Sequence, residues 1–374
     1  MRSAPPPRKV CSMDPASTIR SWRLTLQQLA RPRWQEPERV VAWLGGVQAQ
    51  DERWAQWSIG LRMRGATEAA VQRAIGGRQI VRTWAFRGTL HYLAAADVRW
   101  LLSLLAPAII AGNARRSRQL ELDEAIFARS DDVIRRALER EGALVRSEIA
   151  SVLEETGISA QGQRAPYLLQ RAALDGVICH GAPRGREPTY VLLSEWIGTR
   201  EGSDRGQGVD ALAARYWTSH GPATVHDFAW WAGLRVTAAR QAVRDATSLV
   251  RVEAGEKELW AAQGAPLQPV QGTVYLLPPF DDYLLGYRDR SAALDPEHAK
   301  RVNRGGGMPR PAIVVDGKVV GTWRREAKGG RMIVTLELFR ALDRDERRAV
   351  EEAARRYGTF VSAPVEIHTE SALD

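Results

Sequence analysis

Length, composition and charge limit what this sequence can encode. Its 374 residues, 44% of them apolar, suffice for two or three ordinary domains with real cores. The net charge of +9 favours a polyanionic partner. All but five of the 53 basic residues are Arg, the side chain that pairs bidentately with phosphate. A GC-rich genome also favours Arg, so the net charge is the stronger indication of nucleic-acid binding.

The cysteine and apolar patterns exclude several protein classes. The only cysteines are Cys11 and Cys179, so we expect no disulfide framework, no metal site and a reducing cytoplasm. The apolar run at 100–112 is shorter than a membrane span and contains a proline, which predicts a soluble protein. Residues 1–15 are basic and proline-rich without a following apolar segment, which indicates a disordered leader with Met1 or Met13 as the start.

The region 16–125 predicts helices at about 16–30 and 36–45, then strand-like sequence at 83–94. Between them "WLGGVQAQDERWAQW" breaks an apolar helix at Gly45 and Gly46 and presents Gln48 and Gln50 at positions i and i+2. Such a pair points the same way only from extended backbone. The alternative is an ordinary polar loop between two helices.

Residues 126–200 predict three helices followed by two strands, the order of a winged helix. The first helix is expected to open with a Ser/Asp cap at "SDDVIRRALEREG". The third helix can face a DNA groove. Its polar positions are Gln161, Gln163, Arg164, Gln170 and Arg171, of which Gln163, Arg164 and Arg171 are the candidate DNA contacts.

The same order recurs at 207–265, with a hairpin turning at Gly255, and the N-terminal region is interpreted as a third, more decorated copy. Residues 270–374 change to β-rich sequence with a final helix at about 343–357. Asp316-Gly317 is a two-residue hairpin signal. The basic glycine-rich stretch at 300–311 is either a phosphate-contacting loop, with Arg304, Arg310 and the neighbouring Lys318, or a plain exposed turn.

No phosphate-binding loop, zinc-protease motif or nucleophile elbow occurs in the sequence. The pair Asp281-Asp282 suits a helix cap or turn better than acid/base work. His91, within the alternating "GTLHYLA", is more readily a sheet histidine with a hydrogen-bond partner than a site residue.

Four blocks between about residues 20 and 365 resemble the bacterial winged-helix family that contains the AlkZ DNA glycosylase. They are "GGVQAQDERWA", "VRTWAFRGTLHYLAAADVRWLL", "LLPPFDDYLLGYRDR" and "VVDGKVVGTWRR". The resemblance implies an α+β, mostly α fold with three tandem winged helices around a DNA channel and a C-terminal β region. It also implies that Gln48 and Gln50 hold the catalytic water. Trp84, Arg87, Thr89 and His91 lie in a neighbouring block and are second candidates for lining or supporting the site.

The resemblance implies an enzyme that hydrolyses N7-alkylguanine in double-stranded DNA, including interstrand crosslinks, in DNA repair or self-resistance. Several winged-helix copies in one chain suit a monomer, which we expect in the cytoplasm with the nucleoid. The Gln-x-Gln form resembles the branch associated with self-resistance to alkylating antibiotics. An N7-alkylated guanine is already cationic and leaves without being protonated, so neutral glutamines suffice and no metal or cofactor is required. The rival function is a winged-helix transcriptional regulator without chemistry, since the fold serves both roles.

Overall fold

The computed structural model describes residues 8–9, 14–198, 208–254, 257–265, 269–305 and 307–370. The N-terminal region begins where Asp14 caps the first helix and Pro15 occupies its first position, which suits a residue without a backbone N–H. Its elements are β1 (Arg8–Lys9), α1 (Pro15–Leu26), α2 (Pro37–Leu44), β2 (Val47–Gln48), α3 (Glu52–Gly60), α4 (Glu68–Gly76), β3 (Ile80–Trp84), β4 (Leu90–Ala94) and α5 (Val98–Gln119).

Two of these elements differ from the sequence-based expectation. The backbone of Arg8–Lys9, within the expected disordered leader, pairs in parallel with Val252–Glu253; the rest of the leader before Asp14 lies outside the described residues. Helix α5 extends well beyond the apolar run at 100–112 and is long and apolar enough, by length and composition alone, to cross a membrane. Core helices pass the same test, and one face of α5 is buried in the protein through Trp100, Leu101 and Leu105.

The middle region has the predicted order of helices and strands. Its elements are α6 (Glu124–Glu141), β5 (Leu144–Val145), α7 (Arg146–Glu155), α8 (Arg164–Leu174), β6 (Ile178–His180), β7 (Thr189–Leu192) and α9 (Leu193–Ile197). The expected Ser/Asp cap of the first helix is wrong. Asp123 caps α6 by accepting the Ile126 N–H at 2.8 Å, whereas Ser130 and Asp131 are buried within the helix.

The order recurs in the next region, with α10 (Val209–His220), α11 (Val225–Ala232), α12 (Val236–Asp245), β8 (Leu249–Ala254) and β9 (Lys257–Ala262). Thr224 and Asp227 form a reciprocal capping box at the start of α11. Strands β8 and β9 are antiparallel as predicted. The expected turn at Gly255 lies outside the described residues.

The C-terminal region is a five-stranded sheet in the order β10-β11-β12-β13-β14 with a charged helix. Its elements are β10 (Val274–Leu277), α13 (Asp282–Leu285), α14 (Ala299–Val302), β11 (Ala312–Val315), β12 (Lys318–Lys328), β13 (Arg331–Leu338), α15 (Arg344–Phe360) and β14 (Val365–Glu370). The Asp316-Gly317 hairpin is confirmed: both residues have positive φ, 46° and 79°, as a type I′ turn requires.

Shared sheets and cores join these regions. The six-stranded sheet has the order β2-β4-β3-β6-β7-β5, so it crosses from the N-terminal to the middle region where Arg82 pairs with His180. One core combines N-terminal residues such as Trp57 with C-terminal residues such as Trp323, and the Trp57 indole donates to Leu276 O at 2.7 Å. Strand β2, which carries Gln48, lies at the edge of the six-stranded sheet.

Candidate active site

The Gly45-Gly46 pair turns helix α2 into an extended segment. Gly45 ends the helix in the left-handed conformation, with φ of 87°, which glycine adopts without steric cost. Gly46 lies so close to its neighbours that an added Cβ would meet Leu93 and Phe86 carbons at 2.9 Å. The two glycines therefore place the following strand directly against the core.

The chain is extended at Val47–Gln48, leaves the strand at Ala49 and bends at Gln50, so the prediction of non-helical backbone is confirmed. Gln48 pairs with His91 in the antiparallel β2–β4 ladder, and the Ala49 N–H donates to Leu90 O at 2.7 Å. Ala49 is fully buried, Gln48 is half-buried and Gln50 is exposed. Ala49 therefore packs into the core, while the glutamines on either side of it have more open surroundings.

Arg82 supports this segment from the opposite side. Its Nε donates to Ala49 O at 3.0 Å, and its guanidinium pairs with Glu52 at 2.7 Å. Both backbone groups of Ala49 are thus hydrogen-bonded. Asp51 follows directly and caps α3 by accepting the Trp54 N–H at 3.1 Å. The backbone around the two glutamines is held by these contacts rather than by its own helix or loop geometry.

Arg87 reaches Gln48 from the turn between β3 and β4. This residue and Gly88 both have positive φ, 57° and 72°, and the turn carries the Arg87 side chain toward α11. Its guanidinium donates to Trp231 O at 2.5 Å and to Gln48 Oε1 at 3.2 Å. Burial lowers the pKa of Arg87, while the Asp282 carboxylate opposes that shift. The side chain remains charged, because the ordinary pKa of Arg lies far above neutral.

His91 is a neutral, buried neighbour of Gln48. The two residues are directly paired across β2 and β4, so their side chains lie on the same face of the sheet. Burial, and secondly the charge of Arg87, lower the pKa of His91 to about 4. Because the Thr89 carbonyl can only accept, the neutral ring carries its proton on Nδ1 and donates it to Thr89 O at 3.0 Å. Thr89 is itself held by a hydrogen bond from its hydroxyl to Phe86 O.

Trp84 lies away from this group. Strand alternation places it on the opposite face from Thr83, the residue that pairs with His91. Its ring packs against His180 and Tyr190 of the middle region, with centroids 5.3 and 6.5 Å away. Of the four second candidates, Arg87 and His91 lie beside Gln48 and Thr89 is bonded to His91, whereas Trp84 joins two regions of the fold.

Asp281 and Asp282 are buried behind the candidate site. Asp281 accepts two hydrogen bonds from the fully buried Arg62, caps α13 and accepts the Ser58 hydroxyl. Burial alone would raise the pKa of Asp281, but Arg62 and these hydrogen bonds lower it overall. Asp282 lies near the Trp231 indole, 3.4 Å away. The expected cap role of Asp281 is confirmed.

The candidate DNA contacts on helix α8 have partners within the protein. Arg164 donates to backbone carbonyls, including Ser159 O at 2.8 Å, and Arg171 pairs with Glu124 and Asp175. Gln170 donates to Gly88 O at 2.9 Å, so this helix packs against the β3–β4 turn. Gln163 is exposed and accepts from Arg116 at 2.5 Å. A DNA role for Gln163, Arg164 or Arg171 stays a prediction and requires these bonds to rearrange.

The basic C-terminal candidates are also paired, some loosely. Glu337 contacts Arg310 at 2.5 Å and Arg304 at 3.9 Å, and Arg304 is 65% exposed. Lys318 pairs with Asp295 at 2.9 Å. Among the described residues, Asp295, Glu297 and His298 form a cluster whose spacing would suit a metal ion, because their ligand atoms lie within 4.8 Å of one another. The Lys318 ammonium pairs with Asp295 and so neutralises part of the negative charge of this cluster.

The model of the family "DNA glycosylase AlkZ-like" matches residues 41–360, which include the Gln-Ala-Gln segment and its supports. The chain belongs to the AlkZ-like DNA glycosylase family. It is 31% identical over 325 residues to the "Interstrand DNA cross-link repair glycosylase" of Streptomyces sahachiroi, covering 81% of this chain and 86% of the relative.

The structure agrees with this assignment. It is similar to the solved DNA glycosylase AlkZ of Streptomyces sahachiroi, with a TM-score of 0.72, 28% identity and coverage of 94% of this chain and 98% of the other. The fold is mixed α/β, as in that protein. Membership of the AlkZ-like family supports a glycosylase that acts on DNA, and it does not favour the transcriptional regulator.

Two supports of the candidate site were missed from sequence. Arg82 holds the Gln-Ala-Gln segment by donating to Ala49 O. The carbonyl of Trp231 holds Arg87 by accepting from its guanidinium. Arg82 lies within the quoted block "VRTWAFRGTLHYLAAADVRWLL", and its charge within a strand was an available signal. The Trp231 carbonyl could not be found from sequence, because a backbone acceptor depends only on where the chain passes.

Proposed function

We propose that this protein is a monofunctional DNA glycosylase that hydrolyses the N-glycosidic bond of N7-alkylguanine in duplex DNA, including guanines joined in an interstrand crosslink. The observation that carries the proposal is the clamped segment, in which Ala49 is bonded through both backbone groups and Arg87 holds Gln48 Oε1 at 3.2 Å. The crosslink-repair relative supports the substrate class. The Gln-x-Gln form supports our further proposal that the enzyme serves DNA repair or self-resistance to a genotoxic alkylating antibiotic.

The chemistry suits two neutral amides. As the C1′–N9 bond breaks, its electrons neutralise the positive charge of the N7-alkylated ring, so the base needs no acid. A water oxygen bonds to C1′ and loses a proton to solvent. Arg87 occupies one lone pair of Gln48 Oε1, which fixes the amide orientation and leaves the second lone pair and the NH₂ group for the water. Gln50, which is exposed two residues further along the chain, supplies the second amide.

The scaffold is proposed to consist of three winged helices, at 16–125, 126–200 and 207–265, around a basic channel that residues 270–374 complete. The recurring order of three helices and two strands in the second and third regions supports this division. The net charge of +9 supports phosphate contacts, with Arg304, Arg310 and Lys318 on the C-terminal side. We further propose that the protein acts as a cytoplasmic, nucleoid-associated monomer and without a metal or cofactor.

Incubation of the pure protein with duplex DNA carrying N7-alkylguanine tests this function. Abasic sites that break only after alkali treatment are expected. Strand breaks without alkali would contradict a monofunctional enzyme, and absence of abasic sites would contradict the activity. Tight binding to one undamaged operator sequence without base release would instead favour a regulator.

A further inference from the structure

Three polar side chains stand in one row on the face of the six-stranded sheet that carries the candidate site. Gln48 of β2 pairs with His91 of β4, and His91 pairs in turn with Thr83 of β3. Residues that pair directly across antiparallel strands point to the same face, with Cβ atoms about 5 Å apart. The row therefore places the His91 imidazole directly beside the amide that is proposed to hold the water.

The His91 ring is held in one orientation, and one of its nitrogens is left over. Nδ1 donates to Thr89 O at 3.0 Å, and the ring packs against Phe86 with ring centres 5.1 Å apart. Since Nδ1 carries the proton, Nε2 keeps a lone pair that can only accept. No described residue donates to this Nε2 and, unlike the Nε2 atoms of His180 and His220, it is not enclosed by protein. The ring therefore offers an unused acceptor at the edge of the site.

The surroundings of His91 keep this acceptor neutral. Burial and the Arg87 guanidinium lower the pKa of His91 to about 4, and the Asp282 carboxylate opposes them only in part. The ring is therefore unprotonated at neutral pH and available as an acceptor. A water that has added to an oxocarbenium carbon is a far stronger acid than an imidazolium, so even a weakly basic ring can remove its proton.

We propose that His91 is a catalytic residue whose Nε2 accepts a hydrogen bond from the attacking water and then takes one of its protons. This inference rests on the proposed glycosylase function and adds a proton acceptor to it. The C1′–N9 bond breaks with its electron pair on the guanine, the water oxygen bonds to C1′, and the proton passes to Nε2. The imidazolium so formed keeps its Nδ1–H on Thr89 O and releases the Nε2 proton to solvent.

The first test compares two replacements of His91 that keep different atoms. In His91→Asn the amide can replace Nδ1 at Thr89 O but nothing stands at Nε2, whereas the longer His91→Gln returns an acceptor near Nε2. On a duplex that contains N7-methylguanine, we expect His91→Asn to lower the single-turnover excision rate by about a hundredfold, within the range of general base catalysis. His91→Gln should lose only about tenfold, because its amide can hold the water but cannot take the proton.

His180→Asn is the matched control for the loss of a buried ring. His180 is 6% exposed and His91 is 4% exposed. His180 pairs with Arg82, the neighbour of Thr83 in β3, so its ring lies on the opposite face of the same sheet. The control variant removes the same atoms and should lower Tm to a similar extent, yet keep the wild-type excision rate. Equal rates in His91→Asn and His180→Asn would overturn the proposal.

Binding separates this inference from the proposed function. A duplex with a cationic pyrrolidine in place of one deoxyribose mimics the charged sugar, and a water held by Nε2 should solvate that charge. Wild-type protein should bind this duplex about tenfold more tightly than a duplex with neutral tetrahydrofuran, and only His91→Asn should lose that preference, while His180→Asn keeps it.

Equal affinity of the wild type for the two duplexes, or a preference that His91→Asn retains, would overturn the proposal. A wild-type protein that releases no base but shows the His91-dependent preference would refute only the glycosylase function. Base release that continues at the wild-type rate in His91→Asn would refute only the role of His91.

Discussion

The guanidinium of Arg87 lies 3.2 Å from the amide oxygen of Gln48. Gln48 lies in the edge strand β2, and Arg87 lies in the turn between β3 and β4. The same guanidinium donates to Trp231 O, 144 residues further along the chain. One side chain therefore ties the proposed water-holding amide to α11. Because the amide oxygen is the atom that accepts from Arg87, the orientation of the Gln48 amide is fixed by its partner.

Replacing Gln48 or Gln50 by Ala should reduce base release by about a hundredfold or more, since water positioning beside C1′ is lost. DNA affinity should stay within a few fold, because neither amide is expected to bind phosphate. Single-turnover excision and a DNA-binding titration measure the two quantities. Gln263→Ala, at an exposed turn, is the control. Parallel losses of binding and activity would mean that the segment is structural.

Arg87→Lys should lower the single-turnover excision rate by about tenfold, because one ammonium cannot reproduce a planar fork that bonds two acceptors at once. The loss corresponds to roughly one hydrogen bond to a charged group. DNA affinity should change less than the rate. Arg78→Lys, at an exposed arginine that bonds Glu195 O, should leave the rate unchanged. An unaltered rate in the Arg87 variant would remove Arg87 from the site.

His91 should make folding stability depend on pH. Its folded-state pKa of about 4 lies below the ordinary value of 6.5, so the unfolded chain binds more protons between these values. Stability is then complete above pH 6.5 and falls as the pH decreases toward 4, by about 2 kcal/mol at pH 5. Urea unfolding of the wild type and His91→Gln at pH 7, 6 and 5 measures this. The variant should show a shallower decline, to which buried His180 still contributes; identical slopes would contradict the assignment.

Replacing Arg304 and Arg310 by Ala should reduce excision on duplex DNA by about tenfold, on the estimate of roughly 1 kcal/mol per lost charge-assisted contact. The change in Tm should be small, because Arg304 is exposed and Glu337 retains Arg301 as a partner. The control is the double variant Arg135→Ala/Arg136→Ala, which removes the same amount of charge from α6 and should keep the wild-type excision rate. Full activity of the Arg304/Arg310 variant at physiological salt would place the DNA contacts elsewhere.

Binding to undamaged duplex should weaken steeply with salt, by about tenfold or more between low and physiological ionic strength if several phosphates are contacted. The slope of log affinity against log salt concentration measures the number of contacts. The Arg304/Arg310 variant should have a smaller slope than the wild type, and the Arg135/Arg136 variant should not. A salt-independent affinity would contradict the basic channel.

Local signals predicted most elements of this fold. Periodic apolar residues and terminal glycines located the middle helices, and Asp316-Gly317 located a hairpin, because these depend on neighbouring residues alone. The start of α6 was misplaced because Ser130 and Asp131 look like a cap, while burial within the helix decides their position. The extended backbone at Gln48 was predicted from the i, i+2 spacing and two glycines.

Long-range partners could not be predicted. The polar residues of α8 suggested a free DNA-facing surface, but Gln170 bonds to the β3–β4 turn and Arg171 to Glu124. Trp84 was grouped with Arg87 by sequence proximity, although Trp84 ends β3 and packs against His180, whereas Arg87 lies in the following turn and bonds to Gln48. Which acceptor satisfies a buried arginine depends on the packing of distant segments, and a single sequence records no such pairing.

The bond between Arg87 and Trp231 O also determines when this protein can first act during its synthesis. A ribosome that has released residues 1–200 has delivered both glutamines, yet Arg87 still lacks its anchor and α13 has not been made. Domains form from the N-terminus as translation proceeds. A prematurely terminated chain would therefore carry the Gln-x-Gln motif and its Arg82 contact, but its Arg87 would lack the carbonyl acceptor on α11.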